Sequence, residues 1–223
     1  MTTTLQIDFV SDVACPWCAI GLASLEQALK DLGDEVAVDL HFQPFELNPT
    51  MAAEGVDAAQ YLMAKYGIAS EEQLAVNRRR LTERGAALGF HFGERRRIWN
   101  TFDAHRLICW AGIDGAPGRQ HALKKALLQA YHGEGRNPGA HDVLLECAGA
   151  VGLDVERARA VLASADYADK VREAERFWQE AGIDGVPAVV INRRHLIQGG
   201  QPPEVFAQAL RRIAASNEGA GER

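Results

Sequence analysis

The chain has 223 residues, of which 47% are hydrophobic and 24% charged, with a formal net charge of -6. These are ordinary globular values on a length that can bury a full core, which excludes a disordered or fibrous chain. The acidic balance gives no general attraction to phosphate backbones or anionic lipid, and no apolar stretch approaches the roughly 18 to 20 residues that cross a bilayer, so neither nucleic acid nor membrane is an expected partner.

Met1 to Thr4 lead straight into a strand pattern, without the basic start, apolar run and small-residue site of a secretory signal, so a cytoplasmic location is expected. Leu5, Ile7 and Phe9 alternate with Gln6 and Asp8, and Val10 extends the apolar run, which predicts a first strand with one well-buried face. After Ser11 to Ala14, the apolar positions Ile20, Leu22, Leu25, Ala28, Leu29 and Leu32 follow helical spacing until Gly33 supplies a stop. Val36, Val38, Leu40 and Phe42 then alternate as a second strand ending at Pro44.

From about Asp57 to Gly182 strand signals vanish. The pattern there predicts successive helices over 60–66, 71–88, 102–111, 120–131, 142–151, 155–162 and 165–181, separated by glycines. Ala188 to Ile191 reads as a short buried strand, Asn192 to Arg194 as a turn, and His195 to Ile197 as its hairpin partner. A final helix after Pro202 carries Val205, Phe206, Ala209, Leu210 and Ile213 on one face. The order β-α-β, inserted helices, β-β-α predicts an α/β chain of thioredoxin fold with a large all-helical insertion. Residues 1–48 and 183–215 form the expected thioredoxin-fold domain, 49–182 the insertion, and 216–223 a flexible tail.

Four cysteines are present: Cys15, Cys18, Cys109 and Cys147. Random placement gives some pair at spacing three in about one such chain in twenty, so the Cys15/Cys18 spacing gains its weight from context. That context is a strand followed by a helix start. Thiol exchange needs an attacking thiolate, a second thiol to resolve the mixed disulfide, and access for the substrate. Cys15 precedes the first helical turn, where unpaired N–H groups and the helix dipole favour negative charge, and is the expected nucleophile. Cys18, one turn onward, is the expected resolving thiol. Pro16 suits the first turn because its missing N–H has no intrahelical acceptor, and Trp17 offers an apolar rim for substrate. Half of a zinc site and simple packing are the rival readings of the pair. Val186-Pro187 opens the strand after the insertion, where a proline is otherwise disfavoured, which points to a special backbone role.

Four stretches together resemble the DsbA-like oxidoreductases, and within them the cytoplasmic FrnE-like group: Cys15-Pro16-Trp17-Cys18 with Ile20-Gly21, Pro44 to Pro49, Asn100 to Arg106, and Gly185-Val186-Pro187 running to Gly200-Gln201-Pro202. The resemblance implies dithiol–disulfide exchange with protein disulfides or small thiols such as glutathione, no resident cofactor, and a cis-proline at Pro187 that frees the Val186 backbone to pair with an extended substrate. Kappa-class glutathione transferases and hydroxychromene-carboxylate isomerases share the architecture but typically carry Ser where Cys15 stands. Glutathione-dependent isomerase or transferase chemistry is therefore the alternative expectation.

His105 falls in the third resembling stretch and is assigned a substrate contact or a part in proton transfer, beside an equally weighted reading of the Asn100–Thr101 segment as a helix cap. Cys109 and Cys147 lie among apolar neighbours and read as packed small residues. Arg78 to Arg80 and Arg95 to Arg97 read as solvated faces, with a secondary reading as an attraction for an acidic partner or glutathione carboxylates. His41, His91, His121, His132, His141 and His195 show no metal-ligand spacing, and no metal is expected.

Overall fold

The protein is described by a computed structural model over residues 4–218. Strand β1 (Leu5–Ser11) is the centre of the fold. Its period-two pattern puts Leu5, Ile7 and Phe9 on one face, each fully buried, and Val10 on the other. Helix α1 (Pro16–Leu32) returns along the sheet and ends at Gly33, whose positive φ of 52° lets the chain turn away. Strand β2 (Val38–Pro44) pairs parallel to β1, with Phe9 opposite Phe42.

The inserted segment is built almost entirely of helices. It begins with the two-residue strand β3 (Val56–Asp57), then α2 (Ala58–Tyr66) and α3 (Glu71–Ala87), and returns through β4 (Arg97–Ile98), antiparallel to β3. This short β3–β4 ladder corrects the expectation that strands are absent there, because two residues are too few to leave a period-two signature. Helices α4 (Phe102–Ile113), α5 (Arg119–Leu128), α6 (His141–Ala150), α7 (Val155–Ala163) and α8 (Ala168–Glu180) follow. The single helix expected over 120–131 ends at Leu128 and passes into a π turn, Gln129–Gly133.

The chain then rejoins the sheet as β5 (Ala188–Ile191) and β6 (His195–Gln198), giving the order β2-β1-β5-β6. β5 runs antiparallel to both its neighbours, with Phe9 opposite Val189. Asn192 fixes the hairpin, since its side chain accepts from Gln6 N–H at 2.9 Å and its own N–H donates to the Gln6 carbonyl at 2.8 Å. Helix α9 (Pro203–Glu218) packs on α1. It continues through residues 216–218, where a flexible tail was expected; residues 219–223 lie outside the described part.

One hydrophobic cluster joins the sheet to the insertion: Phe9, Phe42 and Leu25 belong to the same buried group as Leu107, Leu127 and Leu144. A smaller cluster fills the opposite face of β1, where Val10, Ala188 and Val190 meet Phe45, Trp178 and Ile183. Phe9 is fully buried beside the Phe42 ring at 5.7 Å between centroids, so Phe9→Ala leaves a cavity at the centre of the larger cluster. It is expected to cost about 3 to 5 kcal/mol in urea unfolding. A loss below about 1 kcal/mol would show that this ring does not hold the core.

Candidate active site

The site is assembled where β1 hands over to α1. Cys15 caps α1 with an extended backbone, φ -89° and ψ 114°, and no side chain caps the helix start. The first-turn N–H groups thus point toward the Cys15 sulfur without a competing oxygen. Pro16 opens the helix, and Cys18 N–H donates to the Cys15 carbonyl at 3.0 Å. Cys15 is 4% exposed and Cys18 fully buried.

The two thiols are driven apart in acidity. The hydrogen bond from the Cys18 thiol holds Cys15 below the ordinary thiol range, outweighing burial, which pushes the other way. Burial pushes Cys18 well above that range, and its bond to Cys15 and the nearby Cys15 charge add to the effect. Cys15 is therefore the thiol disposed to ionise, and Cys18 the one disposed to keep its proton.

Across from the motif, the Val186–Pro187 peptide bond is cis, and the Cys15 sulfur lies 3.5 Å from the Val186 carbonyl oxygen. Pro187 packs on Gly21 so closely that a Cβ there would lie 2.9 Å from the proline Cγ. Gly200 is similarly tight, with its hypothetical Cβ 3.1 Å from the Trp17 carbonyl oxygen. Arg84 of α3 bridges the same region, stacking 5.4 Å from the Trp17 ring and donating to the Gly200 carbonyl at 2.7 Å.

Asp12 anchors the loop beneath. Its carboxylate accepts from Ala14 N–H at 3.0 Å, Leu47 N–H at 2.7 Å, the Thr101 hydroxyl at 2.8 Å and His105 Nε2 at 3.3 Å. Burial alone pushes its pKa up, but the His105 bond and charge and the two N–H groups hold the carboxyl below its usual value. His132, carried inward by the π turn, donates from Nε2 to the Val13 carbonyl at 2.8 Å. Burial, helped by the Arg95 charge, lowers His132 to about 3. Arg95 itself donates to the Ala14 carbonyl at 3.1 Å, so three consecutive loop residues are held by the insertion.

A groove of about 920 Å³ runs between this loop and helices α2 and α3. Cys15, Pro16, Trp17 and Val186 all line it, while Cys18 lies behind Cys15. Leu62, Leu74 and Leu81 give its far wall an apolar surface, and Lys65, Arg78, Arg80 and Arg95 add positive charge. Glu46 also lines the groove, its carboxyl pushed up by burial despite the Arg172 guanidinium bonded to it.

His105 is placed differently from expectation. It is 2% exposed and turned onto Asp12 behind the loop, so it supports the site from below rather than contacting the groove. The Arg95 to Arg97 run is likewise not a plain solvated face. Arg95 reaches Ala14, and Arg97 donates to the Glu54 and Gly55 carbonyls. All four cysteines are free thiols, and burial raises both Cys109 and Cys147. Among the described residues, no group of three or more His, Cys, Asp or Glu is arranged to hold a metal ion.

Among the buried polar residues, Asp12 and Lys124 received no role in the sequence reading, Thr101 was read only as part of a helix cap, and His132 only as lacking metal-ligand spacing. Asp12 had a signal, an acidic residue in a short strand-to-helix connection. Lys124 and His132 had little, because their positions fall within a continuous helical pattern and their burial depends on tertiary packing.

A four-stranded β2-β1-β5-β6 sheet with a dithiol at the start of α1 and a proline facing it defines a thioredoxin-type protein. Residues 6–211 match the DSBA-like thioredoxin domain, and the chain belongs to that family. The crystal structure of the "probable DsbA oxidoreductase" SCO1869 from Streptomyces coelicolor is 38% identical and superimposes with a TM-score of 0.87, over 95% of this chain and 90% of that one. The Bacillus subtilis protein YwbO is 28% identical over 218 residues, 93% of this chain and 96% of its own. The cytosolic disulfide reductase DsbM from Pseudomonas aeruginosa, solved with glutathione, shares the fold at 19% identity and a TM-score of 0.59, over 95% of this chain and 98% of its own.

Two measurements check the site. Alkylation of the reduced protein should modify Cys15 with a pH midpoint below the usual thiol value of about 8.5, leaving Cys18 unmodified. A midpoint at or above that value would contradict the assigned acidities. His132 is neutral in the fold down to about 3 and ionises near about 6.5 when unfolded, so its contribution is fully present above the upper value and is lost as the pH falls toward the lower one. His132→Gln is therefore expected to flatten the decline of urea stability between those two pH values. An unchanged slope would mean that His132 is not buried neutral.

Proposed function

We propose that the protein is a thiol–disulfide oxidoreductase of the reductase or isomerase type, with Cys15 as nucleophile and Cys18 as resolving thiol. The observation that carries this reading is the pairing of an acidified Cys15 at the groove floor with a buried Cys18 one helical turn behind it. The Cys15 thiolate attacks one sulfur of a substrate disulfide, forming a mixed disulfide and expelling the other sulfur as a thiolate. Cys18 then gives up its proton and attacks Cys15. This forms the Cys15–Cys18 disulfide and releases the reduced substrate, two electrons having passed to it. Two equivalents of a small thiol such as glutathione restore the dithiol and leave as glutathione disulfide, which makes glutathione a co-substrate rather than a bound cofactor.

Val186 and Pro187, with Pro16 and Trp17, are the substrate-binding residues of this proposal. An extended substrate strand beside Cys15 meets the Val186 backbone, and the Trp17 ring, held by Arg84, forms the adjoining wall. His105 keeps a supporting role through Asp12. Clients are protein disulfides or small disulfides that fit the groove.

We place the protein in the cytoplasm. Four free thiols, two of them outside the motif, suit a reducing compartment, and there the couple rests mainly as the dithiol. Among the described residues no helix is long and apolar enough to cross a membrane.

Cys15→Ser is expected to abolish reduction of insulin disulfides, and Cys18→Ser to accumulate a mixed disulfide at Cys15 visible by mass spectrometry. Undiminished insulin reduction by Cys15→Ser would refute the assignment. Turnover of a glutathione-dependent, non-disulfide isomerisation by that variant would point instead to the isomerase alternative.

A further inference from the structure

Helix α3 carries Arg78, Arg79, Arg80 and Arg84, and the helical repeat gives them different places. Arg84 lies at the active-site end, over the Trp17 ring and bonded to the Gly200 carbonyl. Along the helix axis, Arg80 is about 6 Å and Arg78 about 9 Å farther on. Arg78 and Arg80 are exposed and line the groove beside Leu74 and Leu81. Two more cations line it. Lys65 of α2 donates to the Leu47 carbonyl and Asn48 Oδ1, and Arg95 donates to the Ala14 carbonyl.

Their partners set these side chains apart. Elsewhere on the surface arginines meet carboxylates, as Arg96 meets Glu94, Arg136 Glu146, Arg157 Asp166 and Arg211 Glu35. Among the described residues, none of Lys65, Arg78, Arg80, Arg84 and Arg95 forms an ion pair. The bonds that Lys65, Arg84 and Arg95 make end on neutral oxygens. Two carboxylates line the groove, and neither is paired with these cations: Glu46 is bonded to Arg172, and Asp184 accepts from Gln198 at 3.3 Å. The whole chain has a net charge of -6, so this positive field is local and runs against the global balance. Like charges gathered at one mouth repel one another, and an anionic occupant relieves that repulsion.

We propose that the groove selects clients whose disulfide is borne by an acidic peptide segment, a preference that rests on Cys15 being the attacking thiol. An extended chain advances about 3.3 Å per residue, so the span from Arg84 to Arg78 matches about three residues of such a segment. With the client sulfur at Cys15, carboxylates a few residues from its cysteine face Arg80 and Arg78. Apolar side chains between them rest on Leu74 and Leu81. The cations act on capture and orientation, and the exchange at Cys15 is the same for every client. Charge pairs at a wet rim speed association and are screened by salt.

Peptides with a single cysteine activated as a 2-thiopyridyl disulfide read the capture step. The Cys15 thiolate attacks the peptide sulfur, the peptide–pyridyl S–S bond breaks, and the pyridine thiolate leaves and takes a proton to become the absorbing thione. The peptides are identical except that the positions flanking the cysteine are Glu, Gln or Lys. Each rate is divided by that peptide's rate with mercaptoethanol, which removes its intrinsic reactivity. At about 20 mM salt the reduced wild type is expected to favour the Glu peptide over the Gln peptide by about 10-fold, with the Lys peptide slowest. At about 1 M salt, where charges are screened beyond about 3 Å, the preference should fall to about 2-fold or less. The net charge of the chain by itself predicts the reverse order. Arg78→Gln combined with Arg80→Gln is expected to reduce the low-salt preference to about 2-fold.

Equal rates for the three peptides, or a preference for Lys, would overturn the proposal, as would a Glu preference that survives high salt or the double substitution. Should the double variant fail to fold, the wild-type charge and salt series decides. Glutathione activated in the same way separates a small anionic thiol from a peptide. If its rate depends on Arg78 and Arg80 while the peptides show no charge preference, the cations serve glutathione and the proposal fails. Absence of thione from every substrate would instead overturn the redox assignment itself.

Discussion

The buried carboxylate of Asp12 is the constraint on which the site depends. It binds the loop before Cys15, the chain leaving β2, and helix α4 to one pair of oxygens. An isolated carboxylate in such a place is expensive, and four donors make it tolerable. Through it, the position of Cys15 relative to β1 is set by residues of the inserted helices as well as by the sheet. The insertion therefore does more than cover the motif. His132, Arg95 and Thr101 all belong to it, and each takes part in holding residues 12–14.

With the loop fixed, the chemistry follows from an asymmetry in environment. Both thiols are buried, yet Cys15 faces the groove at an uncapped helix start and accepts from Cys18, while Cys18 faces the core. One charge is favoured at one sulfur only. The groove adds selectivity of access, because α2 and α3 close over Cys15 and Arg84 ties α3 to Trp17 and Gly200. On the proposed reading, a substrate presents its disulfide on a narrow or extended segment.

Much of this was legible in the sequence where local physics dominates. The alternation of Leu5, Ile7 and Phe9, the helical spacing from Ile20 to Leu32, and the run Ala188 to Ile191 each specify their element before any tertiary contact is known. Pro187 stood out because a proline at the head of a buried strand breaks the local rule. The supporting residues were hidden for the opposite reason. Nothing in the helical pattern around Lys124 separates it from a surface lysine, and only the packing of α5 among α4, α6 and β2 encloses it. His132 sits in a π turn, which no periodicity announces. His105 was noticed but misplaced, since its sequence position fixes the helix and not the face that meets Asp12.

The account's central claim is that Cys15 and Cys18 form one redox couple. Equilibrating the protein with glutathione and glutathione disulfide over a range of ratios, and mapping the products by mass spectrometry, tests it most directly. The account predicts a single Cys15–Cys18 disulfide, with Cys109 and Cys147 remaining thiols, titrating as a two-electron couple at about 30 mV per tenfold change in the equilibrium constant. A chain in which this disulfide does not form at any ratio would contradict it.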